Sequence, residues 1–375
     1  MKKAILFVLA SVLAMGAAFA APAPVTPFGS IDYVEGSAMI VRSGKTLGEA
    51  NIGDDILPDD MIKTSADGLV VIALDRSTGM RGTLTIKAQS VVYVRMTADP
   101  AGAKSTIELM AGQLASKLTK VSGNPTVQVR TDTTVMGVRG TDFSVSSSVT
   151  GSTMVYCSTG AVECYDGEST VSVAAGRAVE KRPAERMAFI PVAVSTPGAF
   201  ENRWWSDEIE VFKGNPARFL IDYEKRYDDL YARFMEAFEP LQKSEILAKW
   251  MREDDAGYVP PSNDMTVLKE KKDMIGSIQQ LRKILFIFER IYYRIVQLDA
   301  IVSGMAIDGA QLRKGYTVGD FLRRVKAEAA LLERRVALFR YAEKLYELRN
   351  VGGAGMPGMG GGTDDFFGSD DGFDF

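Results

Sequence analysis

The chain has 375 residues, is 46% hydrophobic and 25% charged, and carries a formal net charge of −4. That profile fits soluble globular protein with room for two or three domains, and it gives no global pull toward nucleic acid or anionic lipid. There is no His and there are two Cys, so a Ser-His-Asp or Cys-His site and a zinc-type ligand set are excluded within this chain.

Other enzyme chemistry finds little support. Neither G-x-S-x-G nor S-x-x-K occurs, the two serine patterns with a defined mechanism. A carboxylate pair could still hydrolyse a substrate. Acidic residues, however, cluster where turns and solvated faces are expected, and no pair stands out. The reading is a non-enzyme without a cofactor.

Residues 1–20 read as a signal peptide. Lys2 and Lys3 start it, Ala4 to Ala14 form an apolar run, and Ala18-Phe19-Ala20 supplies the small-x-small cleavage pattern. The run is shorter than the roughly 20 residues a membrane span needs. Cleavage near Ala20/Ala21 would release a periplasmic or secreted chain and take the charge from −4 to −6. No Cys near that point could carry a lipid, and no later segment has 18 uninterrupted apolar residues, so the chain is not expected to be an integral membrane protein.

Residues 27–194 read as all-β. Short alternating runs such as Ser37 to Val41, Leu69 to Leu74, Val91 to Val94, Val127 to Val129 and Met154 to Cys157 are split by Gly, Asp and Asn. Period-2 patterning at close spacing predicts a sandwich, roll or solenoid. No helical stretch long enough for a parallel crossover intervenes. Asp54, Asp55, Asp59 and Asp60 surround Gly53 and Pro58. They lack the order of a calcium loop and read as turn residues. Cys157 and Cys164 flank Ser158-Thr159-Gly160. A two-residue hairpin there would set them diagonally, about 7–8 Å apart, against roughly 4.4–6.8 Å for a relaxed bridge. A disulfide and two buried thiols both remain open.

Near residue 200 the period changes. Trp204 and Trp205 mark the junction, one expected on the β region and the other on the helices. Asn215-Pro216 reads as an N-cap with proline at the first helical position. Three helices follow, carrying Phe219 to Phe238, Met274 to Ile295 and Leu322 to Tyr346 at three-four spacing. Residues 200–350 are therefore expected to form a helical bundle or hairpin domain. Residues 200–264 carry 9 basic and 15 acidic side chains, and residues 265–350 carry 17 and 10. The acidic first segment, together with the acidic tail of residues 351–375, could lie against the basic second, or the surface could simply be solvated with uneven composition. Residues 351–375 are Gly-rich, then acidic and aromatic, with five Asp and no Lys or Arg. That composition reads as a disordered tail.

The most specific stretch is Arg130-Thr131-Asp132-Thr133-Thr134-Val135-Met136-Gly137-Val138-Arg139-Gly140-Thr141-Asp142-Phe143. It resembles the signature of the FecR domain, an extracytoplasmic β-rich module. The similarity runs through roughly residues 28–182. It takes in Gly29 to Ala38, Ile52 to Thr64 (with Asp59 where the family usually has Gly), Ile107 to Leu114, Val155 to Val162 and Ala174 to Ala178. Gly137 and Gly140 would permit close approach or unusual backbone angles. Arg139 between them would tie carbonyls or a carboxylate across strands. Val138, Thr141 and Phe143 complete a motif read as a structural clasp. The resemblance implies a binding or signalling module outside the cytoplasm. Its partner would be an envelope protein or polymer, with self-association through the helices as a further possibility. FecR itself implies an anti-sigma regulator with a cytoplasmic arm and a membrane helix, and neither is visible here. The expected roles are an envelope adaptor or scaffold, or a soluble sensor acting through a membrane partner.

Overall fold

The computed structural model describes residues 26–42, 45–97, 104–120, 126–138, 140–192 and 196–349. The β region comprises β1 (Gly29–Glu35), β2 (Ala38–Arg42), β3 (Lys45–Glu49), β4 (Asp55–Ile56), β5 (Asp60–Thr64), β6 (Leu69–Leu74), β7 (Met80–Ile86), β8 (Val91–Thr97) and β9 (Lys104–Lys120). It continues with β10 (Thr126–Arg130), β11 (Val135–Val138), β12 (Asp142–Ser147), β13 (Thr153–Thr159), β14 (Ala161–Tyr165), β15 (Thr170–Ala174), β16 (Arg177–Lys181) and β17 (Ala188–Ile190).

These strands build two sheets that share one strand. The first runs β4-β1-β6-β7-β9-β12-β13-β16-β17. The second runs β3-β2-β5-β8-β9-β10-β11-β14-β15. All pairings among them are antiparallel except β9 with β10. The long β9 belongs to both. Its first half pairs with β8 and β10, and from Gly112 onward it pairs with β7 and β12. Gly112 sits at the crossing with φ +95°, and a Cβ there would lie 2.2 Å from the Ser90 hydroxyl. Only glycine meets both demands, so Ile107 to Leu114 form one continuous strand that changes sheet at Gly112.

Period-2 alternation fills the space between the sheets. Val70, Ile72, Leu84, Val145 and Val155 of the first sheet meet Ile40, Ile62, Val92, Val94 and Val129 of the second in one buried cluster. Full burial of each such side chain is worth roughly 1.5–3 kcal/mol.

Five helices follow: α1 (Pro197–Gly214), α2 (Pro216–Gln242), α3 (Glu245–Asp255), α4 (Met265–Val302) and α5 (Val318–Leu348). A small hairpin, β18 (Gln311–Arg313) with β19 (Tyr316–Thr317), precedes α5. Each start is capped by a short polar side chain: Thr196, Asn215, Ser244, Asp264 and Thr317, the last in a reciprocal capping box with Asp320. Such caps satisfy amide groups that would otherwise lack partners, at about 1 kcal/mol each. The sequence predicted three helices here. The Ser244 cap splits α3 from α2, and α1 is a separate helix ahead of Asn215.

The helices cover the sandwich on both sides. Residues of the second sheet that alternate with its inner row, Met61, Val91 and Tyr93, join the core formed by α2, α4 and α5. On the opposite side, α1 packs Phe200 and Trp204 on Met154, Tyr156 and Ala178 of the first sheet. Trp205 packs against that same cluster, so both tryptophans serve the β side and neither reaches the helical core.

The hairpin expected around Gly160 is absent. β13 pairs with β12 and β16, whereas β14 pairs with β11 and β15. The chain crosses from one sheet to the other at Gly160, which has φ +80°.

Candidate functional site at the junction of sheet and helices

The second sheet meets α4 through charged side chains embedded in an apolar helix. Arg290 and Arg294 lie one turn apart in the run Ile284 to Ile295, and each is no more than 1% exposed. A buried guanidinium demands partners, and both find them on strands. Arg294 donates to the two carboxylate oxygens of Asp132 at 2.6 and 2.7 Å and to the Ser147 hydroxyl at 2.7 Å. Asp132 follows β10 in the stretch singled out above. Burial pushes its carboxyl up, but Arg294 outweighs that and holds it below the usual range. Tyr223 of α2 closes the same corner by donating to the Val149 carbonyl at 2.6 Å.

A second cluster lies alongside. Arg290 donates to Glu108 at 3.1 Å, and its guanidinium stacks 3.8 Å from the centre of the Phe286 ring. Arg95 lies 3.4 Å from Glu108 and donates to Glu343 of α5 at 3.4 Å. Arg282 donates to Glu343 at 2.6 Å. Burial raises Glu108, but Arg95 and Arg290 prevail and bring it down to about 2.

Next to this network a cleft of about 70 Å³ opens between β2, β3, β5, β8 and the helices α4 and α5. Met61, Tyr93, Phe288, Leu332 and Val336 give it an apolar floor, and Thr46, Asp59, Lys63, Glu289, Tyr292, Glu333, Arg340 and Lys344 stand around it. Its polar groups are ordered. Arg340 donates to Glu289 at 2.6 and 2.8 Å and lies 3.7 Å over the Tyr93 ring. Lys63 reaches Glu333 at 3.0 Å, and the Tyr93 phenol donates to Asp59 at 3.0 Å. Burial pushes the Tyr93 and Tyr292 phenols well up, so both remain neutral donors. A cleft this small accepts a side chain or a short peptide; pockets for drug-sized ligands measure roughly 300–1,000 Å³.

Asp59 has φ +70°, a left-handed backbone that favours Gly and tolerates Asp. Asp therefore fits the backbone where the resemblance leads one to expect Gly, and its carboxylate serves Tyr93. Two other acidic residues of that loop, Asp60 and Asp54, also have structural uses. Asp60 is buried and accepts from Arg42 at 2.8 and 2.7 Å and from the Leu57 amide, and Asp54 accepts from the Asn51 amide.

The motif residues are placed as follows. Gly137 and Val138 end β11, and Gly137 has room for a Cβ. Gly140 turns with φ +67°. Thr141 is buried, and its hydroxyl has no hydrogen-bond partner among the described residues. Phe143 lies in the sandwich core. Arg139 lies outside the described residues. Cys157 and Cys164 are unbridged, buried thiols, and burial pushes Cys164 up to about 12. Arg290, Arg294 and their acceptors carry no motif in the sequence that marks them as a site. The available signal was two arginines at four-residue spacing inside an otherwise apolar helix.

Acidic α2–α3 does face the basic segment formed by β18, α5 and the residue that caps α5. Arg313 donates to Glu224 at 2.8 Å, Arg324 pairs with Asp228, and Arg349 donates to Glu253 at 2.6 Å. The acidic tail lies outside the described residues. Among the described residues, no helix is long and apolar enough to cross a membrane.

Fold and junction together define a two-sheet β protein closed by docked helices. Within it, residues 60–163 match the family described as FecR protein. The match spans β5 to β14 and contains Glu108, Asp132 and the cleft's Met61, Lys63 and Tyr93. Two crystal structures of a candidate anti-sigma factor from Parabacteroides distasonis are similar at 15% identity. One covers 35% of this chain and 58% of its own, with a TM-score of 0.30. The other covers 32% and 59%, with a TM-score of 0.25. The chain thus spans under two thirds of the length of either. No curated protein matches.

Proposed function

We propose that this is a non-enzymatic, extracytoplasmic FecR-domain protein that binds a partner in the bacterial envelope as an adaptor or scaffold. The binding place is the cleft between the second sheet and α4–α5. The observation that carries the reading is the composition of that cleft. An apolar aromatic floor sits inside a rim of fixed ion pairs, a design that seats an apolar side chain of a peptide and orients its polar neighbours. The helices make the site rigid by burying Arg290 and Arg294 on strand carboxylates.

The FecR match favours a second reading, a soluble sensor whose partner is a membrane regulator. A photo-crosslinking residue at Thr46, on the cleft rim, separates the two in intact cells. Capture of a membrane regulator or transporter supports sensing. Capture of envelope polymer, of outer-membrane protein or of a second copy through the helices supports scaffolding. Labelling no stronger than from the exposed control position Arg186 removes the cleft as the binding place.

A further inference from the structure

Among the described residues, two of the cleft's charged groups have no ion pair: Lys344 on α5, and Asp59, which is satisfied only by the neutral Tyr93 phenol. Of its carboxylates, Asp59 accepts from Tyr93, Glu289 from Arg340 and Glu333 from Lys63. Lys344 is exposed and forms no ion pair among the described residues. The cleft therefore offers an apolar floor with one cation free at its edge, and a chain combining Phe with Asp would complement it.

Such a chain is present in this protein. α5 contributes the cleft wall from Leu332 to Lys344 and ends at Leu348. That end lies roughly 6 Å of helix beyond Lys344, at 1.5 Å per residue. The sequence continues through a stretch with seven glycines between residues 350 and 363. Residues 364–375 then carry Phe366, Phe367, Phe373 and Phe375 among five Asp, with no Lys or Arg. From Arg349 back to Leu332 the helix measures roughly 26 Å. The intervening 14 residues can extend to at most about 46–50 Å, so the Phe pair reaches every part of the cleft on its own molecule. Tethering makes that encounter intramolecular, at the high effective concentration of a short linker.

We propose that residues 364–375 fold back onto the cleft of the same molecule. Phe366 and Phe367 rest on the Tyr93–Val336 floor and the flanking Asp residues face Lys344. The tail is then an internal competitor that an external partner must displace. This rests on reading the cleft as the partner site, but the test below uses the purified chain without any partner.

The full chain is made with a benzophenone amino acid replacing Phe366, irradiated when dilute, and mapped by mass spectrometry. The expected products are intramolecular links to α5 between residues 332 and 344 or to β5 and β8. Their yield should fall several-fold in 0.5 M salt and in K344E, an exposed substitution that leaves the core untouched. Links between two chains, links elsewhere, or a yield indifferent to K344E overturn the proposal. Loss of tail contact with partner capture still seen from Thr46 would reject the internal competitor and leave the binding site standing.

Discussion

The Arg294–Asp132 pair dominates the residue scale. Two opposite charges are taken almost wholly out of water, and a bidentate bond plus Ser147 compensates them. Removing one partner of such a pair strands the other, which costs about 3–5 kcal/mol. Arg294→Ala should lower the full chain's stability to urea by that amount, and Asp132→Ala by a similar amount. The double variant should cost much less than the sum. Additive losses would mean that the pair is not coupled. Glu108 makes the acid limb testable. Its folded value of about 2 lies below the ordinary 4.5. Its contribution is therefore complete above that ordinary range and is lost as pH falls through it toward about 2. Glu108→Gln should be less stable at pH 7 yet lose less on going from pH 5 to pH 2. Urea midpoints across that range read the difference. A parallel acid limb in both proteins would place the titration elsewhere.

At the scale of elements, β9 is the strand on which both sheets depend. Gly112 lets it leave the second sheet for the first, with φ +95° and Ser90 in contact. Gly112→Ala meets both a disfavoured backbone and a clash, and should cost roughly 1–3 kcal/mol. Adding Ser90→Gly should recover only part of that, because it removes the hydroxyl and Cβ contacts but leaves the Cα of residue 90 at 2.6 Å and the backbone strain in place. Full recovery would mean that sterics alone require the glycine. α1 is held differently from the other helices. Besides Phe200 and Trp204 it anchors through buried carboxylates. Glu208 accepts from Ser148 at 2.8 Å, Glu201 accepts from Ser144 at 2.6 Å, and the Trp204 indole donates to Glu180 at 2.7 Å. This helix packs on the sheet face opposite the one that α4 covers.

At the scale of the whole molecule, the helices and the second sheet share one core. Unfolding either half would expose Met61, Val91 and Tyr93 together with Tyr293 and Phe288. Thermal unfolding should therefore be a single transition, with far-ultraviolet helical signal and near-ultraviolet tyrosine signal sharing one midpoint. Two separated midpoints would show that the halves are independent. The same sharing predicts that residues 200–350 made alone will associate through the apolar surface that the sheet normally covers.

Much of this architecture was written locally. Period-2 runs marked the strands, Asn215-Pro216 marked the start of α2, and the three-four spacing of Met274 to Ile295 marked α4, because side-chain periodicity is imposed by the nearest turn of backbone. The stretch from Arg130 to Phe143 pointed to the FecR family, and residues 60–163 match it. Other features depended on residues far apart in the chain. Gly160 looked like a hairpin turn, but its flanking strands pair with β12, β16, β11 and β15, and no local signal ranks those pairings above a hairpin. Both tryptophans went to the first sheet because Glu180 and Tyr156 were waiting there. The junction was the least legible part. Arg294 meets Asp132 across 162 positions and Arg290 meets Glu108 across 182. A buried cation announces in sequence that it needs a carboxylate, but only the packing of α4 on the second sheet decides which one.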